Sequence, residues 1–346
     1  MIRVGIISPS EIAYRRFLPS LEKVNRDFVF HGVAIAEPNE WLGNATELCK
    51  EKIEQQLQQE REKANIFIDK YGGIIYDSYQ SMVLSEDIDA VYIPLPPALH
   101  YKWAKLALEN GKHVLLEKPS TTSLKDTDKL LAIASANGLA LHENYMFMFH
   151  NQLDAINRIL ESGVIGEIRL YRISFGFPRR PCGDFRYNKQ LGGGALFDAG
   201  GYTIKYASYL LGKGAKLVTA NRNYISNFDV DIYGSATMIN EKGDVAQLSF
   251  GMDNDYRCEL EVWGSQGTFI TNRVLTAPDG FIPTYTIKKD QNVETYNLPA
   301  DDAFLKSIEW FKLCIDNEHI RKDNYEILHQ QETCLLYTSP SPRDRG

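Results

Sequence analysis

The sequence HVLLEKP at residues 113–119 decides the fold, because an apolar run ends there at a charged pair and a proline. Upstream, IDAVYIP at residues 88–94 is typical of a second buried strand. Residues 100–110 between the two have apolar side chains at helical spacing, and Gly111 is the stop signal. A strand, a helix and a strand in this length predict a crossover unit with parallel, buried strands. Ligands bind beyond the carboxyl ends of such strands, so the charged pair is predicted to lie in a binding site.

Length and composition restrict the class of protein. At 346 residues the chain is long enough for two domains, and its charge of −7 gives no electrostatic reason to expect nucleic acid or an anionic membrane as a partner. No run is apolar enough to span a bilayer, and residues 1–8 lead straight into a strand without a signal-peptide layout. The five cysteines are scattered, with no close pair and no metal-ligand spacing. We therefore expect a cytoplasmic protein with reduced thiols and no bound metal.

The N-terminus has the order expected of a dinucleotide-binding fold. A strand over residues 2–7 is followed by a tight turn and then a helix that runs to about Lys23. In such folds the turn reads Gly-x-Gly-x-x-Gly, which lets the helix N-terminus approach a pyrophosphate, whereas here two serines and an alanine stand in the glycine positions. The turn is either a phosphate cradle or a plain loop. The residues predicted to contact the cofactor in this turn are Ser8, Ser10, Glu11, Ile12 and Ala13.

A second strand, over residues 28–36, is followed by Glu37. A carboxylate at this position typically accepts hydrogen bonds from the adenosine ribose hydroxyls and would repel a 2′-phosphate. Only Pro38 follows it, with no arginine, so the sequence favours NAD over NADP. The alternative is that Glu37 merely caps the next segment.

The rest of the first half continues the alternation of strands and helices. Residues 47–63 predict a polar helix, either solvated or packed as an arm on a neighbouring subunit. Further strands over residues 74–76 and 139–142 complete six parallel strands, and the first domain is predicted to end near residue 148.

The second half of the sequence has a different hydrophobic pattern. Its strands alternate apolar and polar residues, which predicts a mostly antiparallel sheet with one open face. The predicted strands cover residues 169–175, 216–224, 231–240, 244–252 and 256–264. Such a face often pairs subunits, so we expect a homodimer or a homotetramer.

A glycine-rich block, LGGGALFDAGGY at residues 191–202, precedes a predicted helix that runs to Leu211. Asp198 and Tyr202 are four residues apart and share one face of that helix. They are either a polar pair in the core or, together with Lys118, a set that transfers a proton and holds a substrate.

The Glu117-Lys118-Pro119 motif and the block at residues 192–200 resemble, in this order and spacing, the Gfo/Idh/MocA oxidoreductases. The resemblance covers residues 1 to about 333. It implies an α/β architecture: an N-terminal Rossmann domain, a doubly wound parallel sheet over residues 1–148 that carries NAD(P), and a C-terminal α/β domain over residues 149–333 with a large, mostly antiparallel open sheet that mediates oligomers. It also implies reversible hydride transfer at a carbon of a sugar or cyclitol.

The resemblance assigns roles residue by residue. The motif lysine is Lys118, which would contact the reacting hydroxyl and help its proton leave, and Asp198 would hold a substrate hydroxyl. Many members have an acid/base histidine four residues later, where this chain has Tyr202; a phenol beside an ammonium can give a proton to a carbonyl, as in the ketoreductase-like branch. The further cofactor contacts implied are Pro94, Leu95, His100, Glu117 and Lys118 itself, although His100 also fits a plain packing residue at the start of a helix. The further substrate contacts implied are Asn144, Tyr145 and Arg186.

Four arginines lead into the glycine-rich block, namely Arg172, Arg179, Arg180 and Arg186. Guanidinium groups suit a diphosphate, which would fit a nucleotide-linked sugar, whereas surface solvation explains Arg179 and Arg180 equally well. A free sugar or polyol is the other substrate class. Two further functions remain open within the family: a glycosidase that uses bound NAD within one catalytic cycle, and a sensor that binds nucleotide and sugar without chemistry.

The C-terminal segment, residues 334–346, interrupts a helix predicted to begin near Tyr325. It resembles translated adapter sequence, so we expect it to be non-native and exclude it from the fold prediction.

Overall fold

The computed structural model describes residues 1–41, 50–181, 183–212 and 214–337. The chain forms two compact units: one contains Met1–Asn144 and Ser307–His329, and the other contains Tyr145–Lys306 and the described residues from Gln330 onward. The boundary predicted from sequence is linear along the chain, whereas the segment Ser307–His329 returns to the first unit.

The first unit is built on a six-stranded sheet in the order β3-β2-β1-β4-β5-β6, and all neighbouring strands are parallel. This confirms the doubly wound sheet. The strands are β1 (Ile2–Ile7), β2 (Phe28–Ala34), β3 (Ile74–Tyr76), β4 (Ala90–Ile93), β5 (His113–Leu116) and β6 (Leu141–Glu143). Every residue of β4 is buried, because helices cover both faces of a parallel sheet.

Helices connect these strands, as the apolar periodicity predicts. A π-helical turn over Ala13–Phe17 leads into the first helix. The helices are α1 (Leu18–Lys23), α2 (Pro38–Trp41), α3 (Lys50–Tyr71), α4 (Tyr79–Leu84), α5 (Pro97–Glu109) and α6 (Leu124–Asn137). The predicted polar helix corresponds to α3, which buries Ala64 and Phe67 and exposes most of its other side chains; the beginning of that prediction, at residues 47–49, lies outside the described residues.

The second unit is built on an eight-stranded sheet in the order β14-β13-β12-β11-β7-β10-β9-β8. Its strands are β7 (Ile168–Gly176), β8 (Lys216–Asn223), β9 (Tyr233–Ile239), β10 (Val245–Gly251), β11 (Arg257–Gly264), β12 (Thr268–Asn272), β13 (Thr284–Lys289) and β14 (Asn292–Asn297). Only the β7–β10 pair is parallel among these neighbours, which confirms a mostly antiparallel sheet. The strands alternate buried and exposed residues, as in β10, so one face covers the core and the other is open.

Helices and turns cover the inner face of this sheet. They are α7 (Gln152–Glu161) and a π-helical turn over Leu196–Gly200 that leads into α8 (Gly201–Leu211). Two C-terminal helices, α9 (Ala303–Asp316) and α10 (Glu318–Tyr337), follow the last strand, and most of their length belongs to the first unit. Because α10 continues to Tyr337, the first residues of the predicted non-native tail are helical, and Cys334 and Leu335 are buried in the core of the second unit. The origin of the tail stays a prediction, and residues 338–346 lie outside the described part of the chain.

None of the described helices is long and apolar enough to cross a membrane. Across the same residues, no group of three or more histidine, cysteine or acidic side chains could hold a metal ion.

Candidate active site

The carboxyl ends of the six parallel strands lie along one edge of the first sheet. The predicted cofactor residues follow four of these strands: the turn from Ser8 follows β1, Glu37 lies beyond β2, Pro94 follows β4, and Glu117 follows β5. Asn144 follows β6 directly. The topology therefore brings these predicted residues of the first unit to a single edge.

The turn after β1 adopts a conformation that normally selects glycine. Ser8 has φ of 80°, in the left-handed region. The hydroxyl oxygen of Ser10 accepts the backbone N–H of Ala13 at 3.3 Å, and Ala13 is completely buried. Glu11 is exposed and pairs with Arg15 at 2.5 Å. The small side chains keep the start of the helix accessible, so this turn fits a dinucleotide pyrophosphate although it lacks the usual glycines.

Three carboxylates surround the end of β2. Glu37 is exposed, and its backbone N–H donates to the buried carboxylate of Glu40 at 2.8 Å. Glu40 also accepts the backbone N–H groups of Tyr79 and Gln80, which begin α4. The N–H of Ala36 donates to Glu60 at 2.8 Å. Sequence reasoning identified Glu37 but missed the two buried carboxylates, because nothing in the local sequence shows that a side chain three or 24 positions away will bind this backbone.

Burial raises the pKa of Glu60 because it removes water from the carboxylate, and the hydrogen bond from Ala36 and the charge of Lys63 offset part of that effect. The negatively charged Glu40 raises it further. The raised pKa favours the neutral form of Glu60, so Glu37 and Glu40 are the two other carboxyl groups at the end of β2 that matter for the choice between the two nicotinamide coenzymes.

His100 is completely buried and joins two segments at the site. Its Nε2 lies 2.7 Å from the carbonyl oxygen of Leu95, and its Nδ1 lies 2.8 Å from that of Pro119. Burial lowers the pKa of His100 to about 4, with the charge of Lys118 as a smaller contribution. At neutral pH the ring can therefore donate to only one of the two carbonyls. Its ring nitrogens face protein backbone, so the ring holds the segment after Lys118 in place.

Glu117 accepts two hydrogen bonds on one oxygen. Tyr92 donates its hydroxyl to Glu117 Oε1 at 2.7 Å, and Asn144 donates Nδ2 to the same atom at 2.7 Å. Loss of hydration raises the pKa of Glu117, although both donors and the Lys118 ammonium favour its ionised form. Lys118, the predicted catalytic residue, is half-buried and directly follows this fixed carboxylate.

In the second unit, close backbone approach explains the glycine-rich block. A Cβ at Gly193 would lie 2.4 Å from the carbonyl oxygen of Arg186. Gly194 has φ of 125°, and a Cβ there would lie 2.5 Å from a carboxylate oxygen of Asp231. Asp231 accepts the backbone N–H of Leu196 at 2.8 Å and so holds the start of the π-helical turn. Sequence reasoning missed Asp231, because it lies 35 positions from the backbone group that it binds.

Asp198 is fixed by an ion pair rather than left as an isolated carboxylate. Arg186 Nε lies 2.5 Å from Asp198 Oδ2, and its Nη1 lies 3.2 Å from Asp184 Oδ1. Burial acts to lower the pKa of Arg186, but the two carboxylates outweigh it and the pKa is raised. The predicted substrate residues Arg186 and Asp198 are therefore in direct contact.

Tyr202 lies in a group of aromatic rings. Its ring centroid is 5.2 Å from Tyr145, 5.1 Å from Phe175 and 5.7 Å from Phe147, and only 9% of its surface is exposed. Tyr145 is almost completely buried, and its hydroxyl lies where a side chain at Gly201 would be. The predicted pair Tyr145 and Tyr202 is thus in contact and held by aromatic packing.

The other three arginines do not join Arg186. Arg172 pairs with Glu261 at 3.2 Å and stacks over Trp263, on the open face of the sheet. Arg179 pairs with Asp253 at 2.6 Å, and Arg180 lies over the ring of Phe177. The structure therefore supports surface roles for these three, whose side chains are exposed, whereas Arg186 contacts the predicted site residue Asp198.

Both halves of the chain resemble known proteins. A family model described as an oxidoreductase family with an NAD-binding Rossmann fold matches residues 27–145, and a GFO/IDH/MocA C-terminal domain matches residues 153–270. A dTDP-3,4-didehydro-2,6-dideoxy-alpha-D-glucose 3-reductase from Actinomadura kijaniata is 38% identical over 330 residues, which cover 95% of this chain and 92% of the relative. The chain belongs to the Gfo/Idh/MocA family. It is accordingly an NAD(P)-dependent oxidoreductase.

Other members of the Gfo/Idh/MocA family are also similar to this chain over most of its length. A reductase of the same name from Saccharopolyspora spinosa is 34% identical, over 95% of this chain and 94% of the relative. Among solved structures, a 3-ketoreductase from Actinomadura kijaniata in complex with NADP and TDP-benzene superposes with a TM-score of 0.85 at 36% identity, over 98% of this chain and 96% of that one. An aldose-aldose oxidoreductase from Caulobacter crescentus, 18% identical with a TM-score of 0.74, shares the fold.

Proposed function

We propose that this protein is a ketoreductase that acts on a sugar linked to a nucleoside diphosphate, with a reduced nicotinamide coenzyme as the hydride donor. The substrate class proposed is a dTDP-linked 3-keto deoxysugar. Support comes from the relatives named as reductases of such a sugar, whose similarity extends over more than nine-tenths of both chains. It comes also from the similar 3-ketoreductase solved with TDP-benzene.

The observation that carries the proposal is a shared pair of residues. Variants of the solved 3-ketoreductase include one with a lysine replaced by alanine and one with a tyrosine replaced by phenylalanine. Those two positions are separated by the same number of residues as Lys118 and Tyr202 in this chain. We infer that Lys118 and Tyr202 are the residues that act on the substrate carbonyl.

The chemistry assigned to the chain is the delivery of one proton. The bound coenzyme supplies the hydride to the carbonyl carbon. Tyr202 donates its phenolic proton to the carbonyl oxygen as negative charge develops there, so the keto group becomes a secondary alcohol. The Lys118 ammonium stabilises the same developing charge and the phenolate left behind. Asp198, oriented by Arg186, accepts a hydrogen bond from a sugar hydroxyl, and Asn144 and Tyr145 support the substrate side of the site.

For the coenzyme we propose NAD, on electrostatic grounds. The solved 3-ketoreductase structures contain NADP, which makes NADP the competing candidate. In this chain, however, the exposed Glu37 and the buried carboxylate of Glu40 make the end of β2 acidic. A 2′-phosphate placed there would be repelled, whereas a ribose hydroxyl could donate to Glu37.

Fluorescence titration with NADH and with NADPH tests the coenzyme assignment. We expect NADH to bind about 10-fold more tightly or better, which corresponds to about 1.4 kcal/mol. Glu37→Ser combined with Pro38→Arg is expected to weaken NADH and strengthen NADPH, and the exposed Glu22→Ser serves as a matched control. Tighter binding of NADPH by the unaltered protein would contradict the assignment.

Turnover tests the proposed function. The purified protein is mixed with reduced coenzyme and a dTDP-linked 3-keto deoxysugar, and oxidation of the coenzyme is followed by its absorbance. We expect oxidation with the nucleotide-linked sugar and at least about 100-fold slower oxidation with the free sugar, because remote binding energy is used at the reacting centre. Equal rates with the two sugars would move the substrate class to free sugars.

A further inference from the structure

A continuous series of hydrogen bonds extends from Glu117 into the C-terminal helices of the first unit. Beyond the bond from Asn144 Nδ2 to Glu117, Ser307 on α9 donates its hydroxyl to Asn144 Oδ1 at 2.8 Å. The hydroxyl oxygen of Ser307 then lies 3.0 Å from His142 Nε2. Asn144, Ser307 and His142 are at most 3% exposed, so water does not replace these contacts.

The far end of the series fixes the state of the imidazole. His142 Nδ1 lies 3.1 Å from Asn324 Oδ1 on α10. Trp310, whose indole nitrogen can only donate, bonds the same oxygen at 3.2 Å, and Asn324 Nδ2 donates to the carbonyl of Leu141 at 2.8 Å. Rotating the amide of Asn324 by half a turn would place its Nδ2 donor against the indole N–H of Trp310 and its oxygen against the carbonyl of Leu141. The amide is therefore fixed in this orientation. Its oxygen faces His142, so the Nδ1 of His142 must carry a hydrogen.

Two arrangements of hydrogens then satisfy every contact. In the first, His142 also carries a hydrogen on Nε2 and donates it to Ser307, Ser307 donates to Asn144, Asn144 donates to Glu117, and Glu117 is ionised. In the second, Ser307 donates to an unprotonated Nε2, the amide of Asn144 is turned round, and a protonated Glu117 donates to Asn144 Oδ1. Both arrangements contain the same number of protons and differ in whether His142 or Glu117 holds one of them.

We propose that His142, Ser307 and Asn144 are positioning residues that control the charge of Glu117 beside Lys118, by sharing one proton with that carboxyl group. With the proton on His142, Glu117 is a carboxylate and stabilises the Lys118 ammonium; with the proton on Glu117, this support is lost. This inference rests on the proposed function only for its effect on catalysis, since the shared proton itself can be observed without turnover.

Several groups face this pair from the neighbouring elements. Around Glu117, the titratable neighbours are Lys118 and Tyr92 on β4. Glu143, next to His142 on β6, accepts the backbone N–H of Ser120. On α9 and α10, His142 contacts Ser307, Asn324 and the ring of Phe311, none of which is titratable. Loss of the shared proton breaks one buried hydrogen bond, so the pair holds that proton more tightly than either group alone.

Nuclear magnetic resonance of the protein labelled with nitrogen-15 in its histidines tests the shared proton. The His142 signals are assigned with His142→Gln and followed against pH in the unaltered protein, Glu117→Gln and Ser307→Ala. We expect His142 to carry a hydrogen on Nδ1, and its apparent pKa to fall by about one unit or more in either variant. Glu117→Gln removes the negative charge that stabilises the protonated imidazole, and Ser307→Ala removes the hydroxyl that connects His142 to Asn144. The half-buried Ser174→Ala, which removes a hydroxyl bonded to Ser249, is the matched control, and the buried His150 of the second unit is the internal reference.

Identical titration of His142 in all three proteins, or a hydrogen on Nε2 alone at neutral pH, would overturn the inference. Ser307→Ala removes one oxygen from the core, so it gives an answer even if Glu117→Gln fails to fold. In the turnover assay, Ser307→Ala is expected to lower kcat about 10-fold and to shift its pH profile, whereas Ser174→Ala changes neither. A protein that shows the coupled titration but reduces no dTDP-linked keto sugar would refute the proposed function and leave this inference standing.

Discussion

Replacing Tyr202 or replacing Lys118 should lower turnover. Tyr202→Phe keeps the ring that packs against Tyr145 and Phe175 and removes only the hydroxyl. We expect kcat to fall about 100-fold to 10,000-fold with an unchanged melting temperature, since general acid catalysis contributes that much. Lys118→Ala should abolish turnover and leave NADH binding largely intact. Tyr209→Phe, which removes an exposed hydroxyl bonded to Asn157, is the control; near-normal turnover in Tyr202→Phe would exclude the phenol as the proton donor.

Two histidines should make the stability of the fold depend on pH. Burial lowers the pKa of His100 and of His113 to about 4. His113 Nδ1 accepts the backbone N–H of Ala140, a bond that protonation would break. Because the unfolded state binds protons at a pKa near 6.5, the free energy of unfolding is expected to fall as the pH drops from about 6.5 to 4, by up to about 1.4 kcal/mol per pH unit for each histidine.

Urea unfolding at several pH values measures this dependence. In His113→Asn the amide oxygen can still accept from Ala140 but does not titrate, so the decline below pH 6.5 should be shallower. The exposed His319→Asn is the control and should leave the slope unchanged. A slope in His113→Asn as steep as that of the unaltered protein would show that His113 does not contribute.

At the residue scale, the sequence indicated candidate site residues better than it indicated the groups that their side chains contact. It indicated Glu117, Lys118, Asp198 and Tyr202 because charged and polar residues at a strand end or on one helix face are recognisable locally. It did not reveal Glu40, Glu60 or Asp231, whose carboxylates bind backbone groups in other elements. Nor did it show that Ser8 adopts a glycine conformation, since a serine there is strained and the fold alone imposes it.

At the scale of the element, the glycine-rich block at residues 191–202 predicts that a side chain at Gly193 destabilises the fold. Gly193→Ala would place a Cβ 2.4 Å from the carbonyl oxygen of Arg186, and backbone cannot move away cheaply. We expect a loss of about 2–4 kcal/mol in the free energy of unfolding, with lower activity because Arg186 and Asp198 would be displaced. The matched control is Gly243→Ala, where φ is 88° but no atom lies within 4 Å, so only the backbone penalty of about 1 kcal/mol applies. Equal losses in the two variants would contradict the collision.

Most strands and helices could be predicted from periodicity, with small shifts at their ends. The helix predicted over residues 100–110 begins instead at Pro97, because proline is well accommodated in the first turn of a helix. The strands β12 to β14 were missed. All six residues of β14 are exposed, so its side chains do not alternate between core and solvent and leave no pattern to detect.

At the scale of the whole molecule, the open face of the eight-stranded sheet predicts self-association. Exposed apolar residues lie along its strands, including Val218, Trp263 and Val293, which are 61%, 43% and 63% exposed. We propose a homodimer or homotetramer formed through this face. Trp263→Glu should then shift the sedimentation coefficient to that of a monomer while the fold is retained, and the equally exposed Leu84→Glu on the first unit should not. A monomeric unaltered protein would contradict the proposal.

The return of the chain to its first unit is the feature of the whole molecule that the sequence could not show. The apolar pattern of α9 and α10 predicts helices, but it does not say which sheet they pack against. Asn324 and Ser307 bind residues about 180 and 160 positions earlier, a distance at which no local pattern carries information.

The most direct test of the central claim is to follow the hydride itself. NADH carrying deuterium at the transferable position of its nicotinamide is incubated with the protein and a dTDP-linked 3-keto deoxysugar, and the product is analysed by mass spectrometry and nuclear magnetic resonance. We expect one deuterium on the carbon that carried the keto group, and none in a parallel reaction with Tyr202→Phe stopped at the same time. An unlabelled product, or coenzyme that stays reduced in a folded sample with either NADH or NADPH, would contradict the assignment of this chain as a nucleotide-sugar ketoreductase.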